Sequence, residues 1–155
     1  MSKPPNGTTD MIYFKNGNIL EANVEALVNT VNTVGIMGKS IALAFKREFT
    51  ENYKIYKEAC DNNNLKIGDL LVTQTGRSNP KYIINFPTKQ HWRSRSKIEY
   101  IEKGMERLVE VIKERDIQSI AIPPLGCGNG GLNWKNVKPV IVKGLESVKD
   151  STEII

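Results

Sequence analysis

The stretch from Ala26 to Ala42, ALVNTVNTVGIMGKSIA, decides the fold. The apolar run Ala26-Leu27-Val28 enters a polar segment in which Asn29 and Asn32 stand among small and β-branched residues. That segment passes into Gly35-Ile36-Met37-Gly38-Lys39, after which a helical pattern begins. This reads as strand, glycine loop, helix. Such a turn aims backbone N–H groups and the start of a helix at one point in space, which suits a phosphate.

Strand and helix signals alternate on both sides of this unit. Upstream, Met11 to Lys15 (MIYFK) has strand composition and ends at the turn signal Asn16-Gly17-Asn18. Downstream, Ile41, Phe45 and Phe49 fall four apart with Ala42 on the same side, which predicts one buried helix face. Thr50 is expected to cap a second helix that runs to about Cys60 and ends at Asp61-Asn62-Asn63-Asn64. Leu70 to Thr73 and Tyr82 to Phe86 read as strands separated by the loop Gly76 to Pro80. Ser96-Lys97-Ile98-Glu99 has the form of a capping box, and Ile98, Ile101, Met105, Leu108 and Ile112 follow at helical spacing.

Ser119 to Ile122 predicts another strand, which leads through Pro123-Pro124-Leu125 into Gly126-Cys127-Gly128-Asn129-Gly130-Gly131. A last helix, capped by Asn133, carries Val137, Ile141 and Leu145. Pro139 removes one of its hydrogen bonds and is expected to bend its first turns. The alternation specifies an α/β architecture, a three-layer sandwich with a central mixed sheet flanked by helices. Ligands of such sheets sit at the carboxyl ends of the strands, where both glycine loops and the turn after Phe86 emerge.

With 155 residues and no internal break in composition, residues 11–155 form one domain. Residues 1–10, MSKPPNGTTD, are expected to be a disordered lead-in or a cloning remnant. Ser151 to Ile155 looks like a strand that has barely begun, so the natural chain is expected to continue. No apolar run approaches the ~20 residues of a membrane span, and the N-terminus lacks the apolar core of a signal peptide. Cys60 and Cys127 have neither disulfide-framework nor metal-ligand spacing, so a reducing cytoplasm, with no metal and no membrane partner, is the expected setting. The 22 Lys and Arg outnumber the 17 Asp and Glu, giving +5 and a pI near 9.2, compatible with a polyanionic partner. On charge alone, a solvated lysine-rich surface is the simpler reading.

Placement of the charge is more informative. His91-Trp92-Arg93-Ser94-Arg95-Ser96-Lys97 interleaves cations with an aromatic, a pattern that contacts phosphates and stacks an exposed base. A basic surface loop with Trp92 anchored in the core competes with that reading. Gly38-Lys39-Ser40 imitates the end of a P-loop, but Thr33 stands where the first glycine belongs and no later apolar strand ends in the aspartate that would hold Mg²⁺. Gly126, Gly128 and Gly131 fit G-x-G-x-x-G, yet too little chain follows for a dinucleotide-binding unit, which leaves a second phosphate cradle. Cys127 and His91 form a conceivable nucleophile pair, against which a small filler cysteine and a surface histidine are the simpler reading.

The set Gly17-Asn18-Ile19, Val28-Asn29-Thr30-Val31-Asn32, Gly35-Ile36-Met37-Gly38-Lys39, Phe86-Pro87-Thr88-Lys89 and Pro124-Leu125-Gly126-Cys127-Gly128 resembles a macrodomain, the ADP-ribose-binding α/β fold. Within it the chain is most similar to the DarG antitoxin branch, which removes ADP-ribose from thymine bases in DNA. The resemblance implies that Asn18, beside Ile19, replaces the aspartate that contacts the adenine amine, since an amide oxygen accepts the same hydrogen bond. It implies that Asn32 holds the distal ribose and that Gly35, Ile36, Met37, Gly38 and Lys39 wrap that ribose and its phosphate. Gly126, Cys127, Gly128, Asn129 and Gly130 take the place of the diphosphate loop. Lys89, after an apolar strand and Pro87, takes the place of a catalytic lysine, and His91, Trp92, Arg93 and Arg95 lie beside it for nucleic acid. Gly130 stands where members acting on glutamate-linked ADP-ribose carry an aspartate, which disfavours a lysine–aspartate pair.

The activity implied is hydrolysis, without a cofactor, of the N-glycosidic link between ADP-ribose and a thymine in single-stranded DNA. The protein would be antitoxin to a DNA ADP-ribosyltransferase. The alternatives are an ADP-ribose reader without turnover and a hydrolase of protein-linked ADP-ribose.

Overall fold

The computed structural model describes residues 12–91, 93–148 and 152–155. The expected lead-in lies outside them, as do Met11, Trp92 and residues 149–151. Among the described residues, five strands form one sheet: β1 Ala26–Asn32, β2 Leu71–Gln74, β3 Tyr82–Lys89, β4 Ser119–Ala121 and β5 Glu153–Ile154, in the spatial order β2-β3-β1-β4-β5. β3, β1, β4 and β5 run parallel, and β2 is antiparallel to β3 at one edge. Among the described residues, four helices flank the sheet: α1 Ser40–Glu48, α2 Thr50–Asp61, α3 Ile98–Glu114 and α4 Trp134–Gly144.

The two-residue period of a strand explains the three layers. From β1, Ala26 and Val28 point to the side on which Ile101, Met105 and Leu108 of α3 and Val137 and Ile141 of α4 are buried. Leu27 points to the other side, against Phe45 of α1 and Phe49. Val31 packs there with Tyr56 and Cys60 of α2. Gly104 lets α3 lie directly on the sheet, because a Cβ at that position would stand 2.2 Å from Cζ of Phe86. The expected sandwich with a mixed sheet is therefore the observed one.

Local departures have physical causes. Ile12 to Lys15, the described part of MIYFK, form no strand: Ile12 makes a single bridge to Ile154 and the Tyr13 N–H donates to the Ile154 oxygen at 2.9 Å, because two-residue β5 offers no longer edge. Thr50 does not cap α2 but begins it. The cap position is Phe49, which is still bonded to Phe45 of α1, so no loop separates the helices. Ser96 does not form a capping box, since Lys97 occupies the cap position of α3 without a side-chain hydrogen bond. Pro139 stands inside α4, which continues past it, and Asn133 caps that helix by accepting from the Lys135 N–H at 2.9 Å. β3 does not end at Phe86. It runs through Pro87 to Lys89, and the register with β1 steps just there, from Val31 opposite Pro87 to Asn32 opposite Lys89. Proline has no N–H to give the ladder, and a bulge absorbs the defect.

Candidate functional site

The parallel strands β3, β1 and β4 deliver three segments to the same edge of the sheet: Lys89, the loop 33–39, and the glycine loop 126–131. Asn32 shapes the first loop. Its Oδ1 accepts from the N–H groups of Val34 (3.1 Å) and Ile36 (3.3 Å), while its Nδ2 donates to the Ile36 oxygen at 2.8 Å. Thr33 ties the same loop to the end of β3, its N–H and hydroxyl both donating to the Gln90 oxygen at 3.0 and 2.9 Å. Gly35 adopts φ +89°, the left-handed conformation the turn requires, beside Cβ of Cys60. Lys39 and Gly38 are exposed, and Ile36 is 45% exposed.

Met37 differs from the rest of its loop. Its side chain is buried with Val31, Tyr56, Cys60 and Leu65, so it anchors the loop to the core, and a ligand contact there falls to its backbone. Asn29 lies beneath, its Nδ2 3.8 Å from the Met37 sulfur and 3.5 Å from Oδ1 of Asn85, while its own Oδ1 is buried without a partner.

The glycine loop turns through a short 3-10 segment at Gly128–Gly130, with left-handed φ at Gly126, Gly128 and Gly131. It meets the first loop directly, as Asn129 Nδ2 donates to Ser40 Oγ at 3.2 Å. On its other flank the Ser96 N–H donates to the Gly130 oxygen at 2.8 Å. A Cβ built on Gly126 would stand 2.9 Å from the Ser96 hydroxyl, which is buried and unpartnered, and one on Gly131 would lie 3.8 Å from Cγ and Cδ of Arg95. The segment beginning at His91 therefore abuts the glycine loop. It opens with a tight turn in which Ser94 N–H donates to the His91 oxygen and Arg93 N–H to His91 Nδ1, at 2.9 and 3.0 Å. Arg93 and Arg95 are exposed, and Trp92 lies outside the described residues.

Lys89 is half-buried at the end of β3. Desolvation, and then the charge of Lys39 from the facing loop, hold its ammonium below the usual lysine range. Burial pushes the Cys127 thiol up, and its sulfur lies 3.9 Å from the Leu125 oxygen, so it is no activated nucleophile. Among the described residues, no three His, Cys, Asp or Glu gather as they would around a metal ion, and no helix is long and apolar enough to cross a membrane.

Asn18 and Ile19 stand on the wall of a groove of about 1410 Å³ that Cys127 also lines. Asn18 Oδ1 accepts from the Leu20 N–H at 3.0 Å, capping a single 3-10 turn, Ile19–Glu21. Three contributors escape the sequence pattern. Tyr56 hides in an ordinary helical repeat, Ser40 reads only as the end of a failed P-loop, and Ser96 reads as a helix cap. Only the tertiary fold brings each of them to the loops.

A mixed sheet between layers of helices, with two glycine loops at one end, defines an α/β sandwich module, and the Macro domain family model matches residues 28–141. The chain belongs to the macrodomain family. Over 140 residues it is 54% identical to the DNA ADP-ribosyl glycohydrolase of Thermus aquaticus, an alignment covering 90% of this chain and 39% of that protein. Among solved structures, the macrodomain of Mycobacterium tuberculosis DarG superposes with a TM-score of 0.91 at 47% identity, covering 94% of this chain and 95% of that one. Thermosipho africanus DarTG in complex with ADP-ribose gives 0.80 at 33% identity, over 89% of this chain and 39% of that one. The chain thus spans about two fifths of the curated relative and nearly all of a DarG macrodomain.

Proposed function

We propose that this chain is a DNA ADP-ribosyl glycohydrolase, which binds ADP-ribose across the two glycine loops and hydrolyses its N-glycosidic link to a thymine in single-stranded DNA. It would thereby act as cytoplasmic antitoxin to a DNA ADP-ribosyltransferase. The observation that carries the reading is Lys89, half-buried at a strand end, with its ammonium disfavoured by desolvation and by Lys39. Identity of 54% to a protein named for this activity supports it.

In this reading the adenine lies at Asn18 and Ile19, the diphosphate at Gly126 to Gly130, and the distal ribose at the loop shaped by Asn32. Cleavage breaks the bond between the anomeric carbon and the base nitrogen. Positive charge grows on the ribose, and the electron pair leaves with the base, whose imide ring bears it. Lys89 either attacks the anomeric carbon as an amine, to be displaced by water, or stabilises the departing base as an ammonium while water adds to the anomeric carbon; in both routes a proton from that water ends on the base. Arg93 and Arg95 meet the phosphates of the strand.

Incubation with an ADP-ribosylated single-stranded oligonucleotide tests the activity, and release of free ADP-ribose with recovery of the unmodified strand is expected. Binding of ADP-ribose without release would make the protein a reader. Release from modified protein but not from DNA would move the substrate class.

A further inference from the structure

Two large apolar side chains stay in water on one short loop. Val34 is 40% exposed and Ile36 45%, and neither joins the apolar clusters of the core. Their backbones are pinned to a single atom, since Asn32 Oδ1 accepts from both N–H groups, at 3.1 and 3.3 Å. Asn32 is the register partner of Lys89, and Thr33 is bonded to the Gln90 oxygen, so the loop leaves β1 beside that lysine. It also returns toward it: Ile36 Cγ2 lies 3.5 Å from where a Cβ on Gly38 would stand, and the charge of the next residue, Lys39, reaches Lys89. A lone aliphatic residue on a surface needs no function. Two that are held by hydrogen bonds beside the reacting lysine offer an apolar contact at the place where the base, one bond from the anomeric carbon, has to lie.

We propose that Val34 and Ile36 form an apolar wall that receives the C5 methyl of the target thymine and thereby sets the choice of base. The proposal rests on the glycohydrolase reading and gives that site its base-specificity residues. Thymine differs from uracil by this methyl alone, and aliphatic side chains recognise it by contact. The methyl donates electron density to the ring, which makes thymine a slightly poorer leaving anion than uracil. Intrinsic reactivity therefore favours uracil, and a preference for thymine has to come from the protein.

Competition in one reaction tests the wall, between two single-stranded oligonucleotides of the same sequence that carry ADP-ribose on the same ring nitrogen of a thymine or of a uracil. The unaltered protein is expected to favour thymine by about fourfold in kcat/KM, the effect of moving one methyl-sized group onto an apolar surface. Val34→Thr combined with Ile36→Thr keeps both side chains branched, puts a hydroxyl where each had an apolar arm, and should bring the ratio to one or below. Any loss of ADP-ribose binding in that variant cancels from the ratio, because the two substrates share it. Ile55→Thr, the same change at a position 39% exposed on α2, should leave the ratio as it was. No preference in the unaltered protein, a preference that survives in the double variant, or an equal loss from Ile55→Thr would overturn the wall while leaving the hydrolysis standing. Failure to cleave either strand would overturn the glycohydrolase reading, and the wall with it.

Discussion

The hydroxyl of Tyr56 lies 2.8 Å from both the main-chain oxygen and Oδ1 of Asn32, so the buried face of α2 is bonded to the residue at which β1 passes into the loop 33–39. Tyr56 is fully buried, and that burial raises its pKa, which keeps the phenol protonated as a donor. Tyr56→Phe takes the hydroxyl donor from the Asn32 main-chain oxygen and leaves Oδ1 with the N–H groups of Val34 and Ile36 alone. It is expected to cost about 1–2 kcal/mol of stability in urea denaturation. Calorimetry should show weaker ADP-ribose binding, because the loop 33–39 loses its anchor. Unchanged affinity at reduced stability would show that Asn32 holds the loop unaided.

Gly104 tests the packing that positions Lys89. With its Cβ 2.2 Å from the Phe86 ring, Gly104→Ala forces α3 away from β3, and a loss of at least ~3 kcal/mol is expected by chemical denaturation. Adding Phe86→Leu should restore part of the loss, since the clash is with the ring. A stable Gly104→Ala protein would mean that α3 shifts without resistance.

Arg93 and Arg95 are expected to hold the nucleic-acid strand. Replacing both with alanine should raise the Michaelis constant for modified DNA. It should also flatten the salt dependence by ~0.7 in log–log slope for each phosphate that no longer meets a cation. Arg95 also lies against Gly131, so calorimetry with free ADP-ribose run alongside separates loss of the strand from damage to the glycine loop. An unchanged salt slope removes this segment from the DNA path.

The fold was legible because β1 and the two glycine loops carry strong local signals: an apolar strand, left-handed turn residues, and the four-residue spacing of Ile41, Phe45 and Phe49. What failed was set by neighbours rather than by local preference. Ser96 has a capping-box sequence, yet its N–H is drawn to the Gly130 oxygen, far along the chain, and the helix starts one residue later. Pro87 reads as a strand terminator, yet the β1–β3 register steps to accommodate it and carries Lys89 to the strand end. Met37 sits among residues that resemble ligand contacts, but its loop dips into the core at that point. No spacing rule reveals that Tyr56 reaches Asn32 or that Asn129 reaches Ser40. Those pairings follow from the order of the strands.

Lys89 carries the last prediction. Its charged form is disfavoured by desolvation first and by Lys39 second, so its folded pKa lies below the ordinary lysine value. A lowered pKa leaves more free amine at a given pH than an exposed lysine would have. If that amine attacks the anomeric carbon, the hydrolysis rate rises with pH until the amine is fully deprotonated, then levels. Lys39→Gln removes a positive neighbour, which raises the pKa of Lys89 and moves the rising limb to higher pH. If the ammonium instead stabilises the leaving base, the rate falls as pH climbs through the same pKa, and Lys39→Gln moves that fall to higher pH. Lys89→Ala is expected to remain folded, to bind ADP-ribose, and to lose hydrolysis by at least ~10²-fold, the scale of a positioned acid or base. Lys89→Arg, a permanent cation, should be as inactive as Lys89→Ala under the nucleophilic route and partly active under the electrostatic one. Borohydride trapping of a sugar adduct on Lys89 would establish the covalent path, and near-normal turnover by Lys89→Ala would remove this lysine from the chemistry.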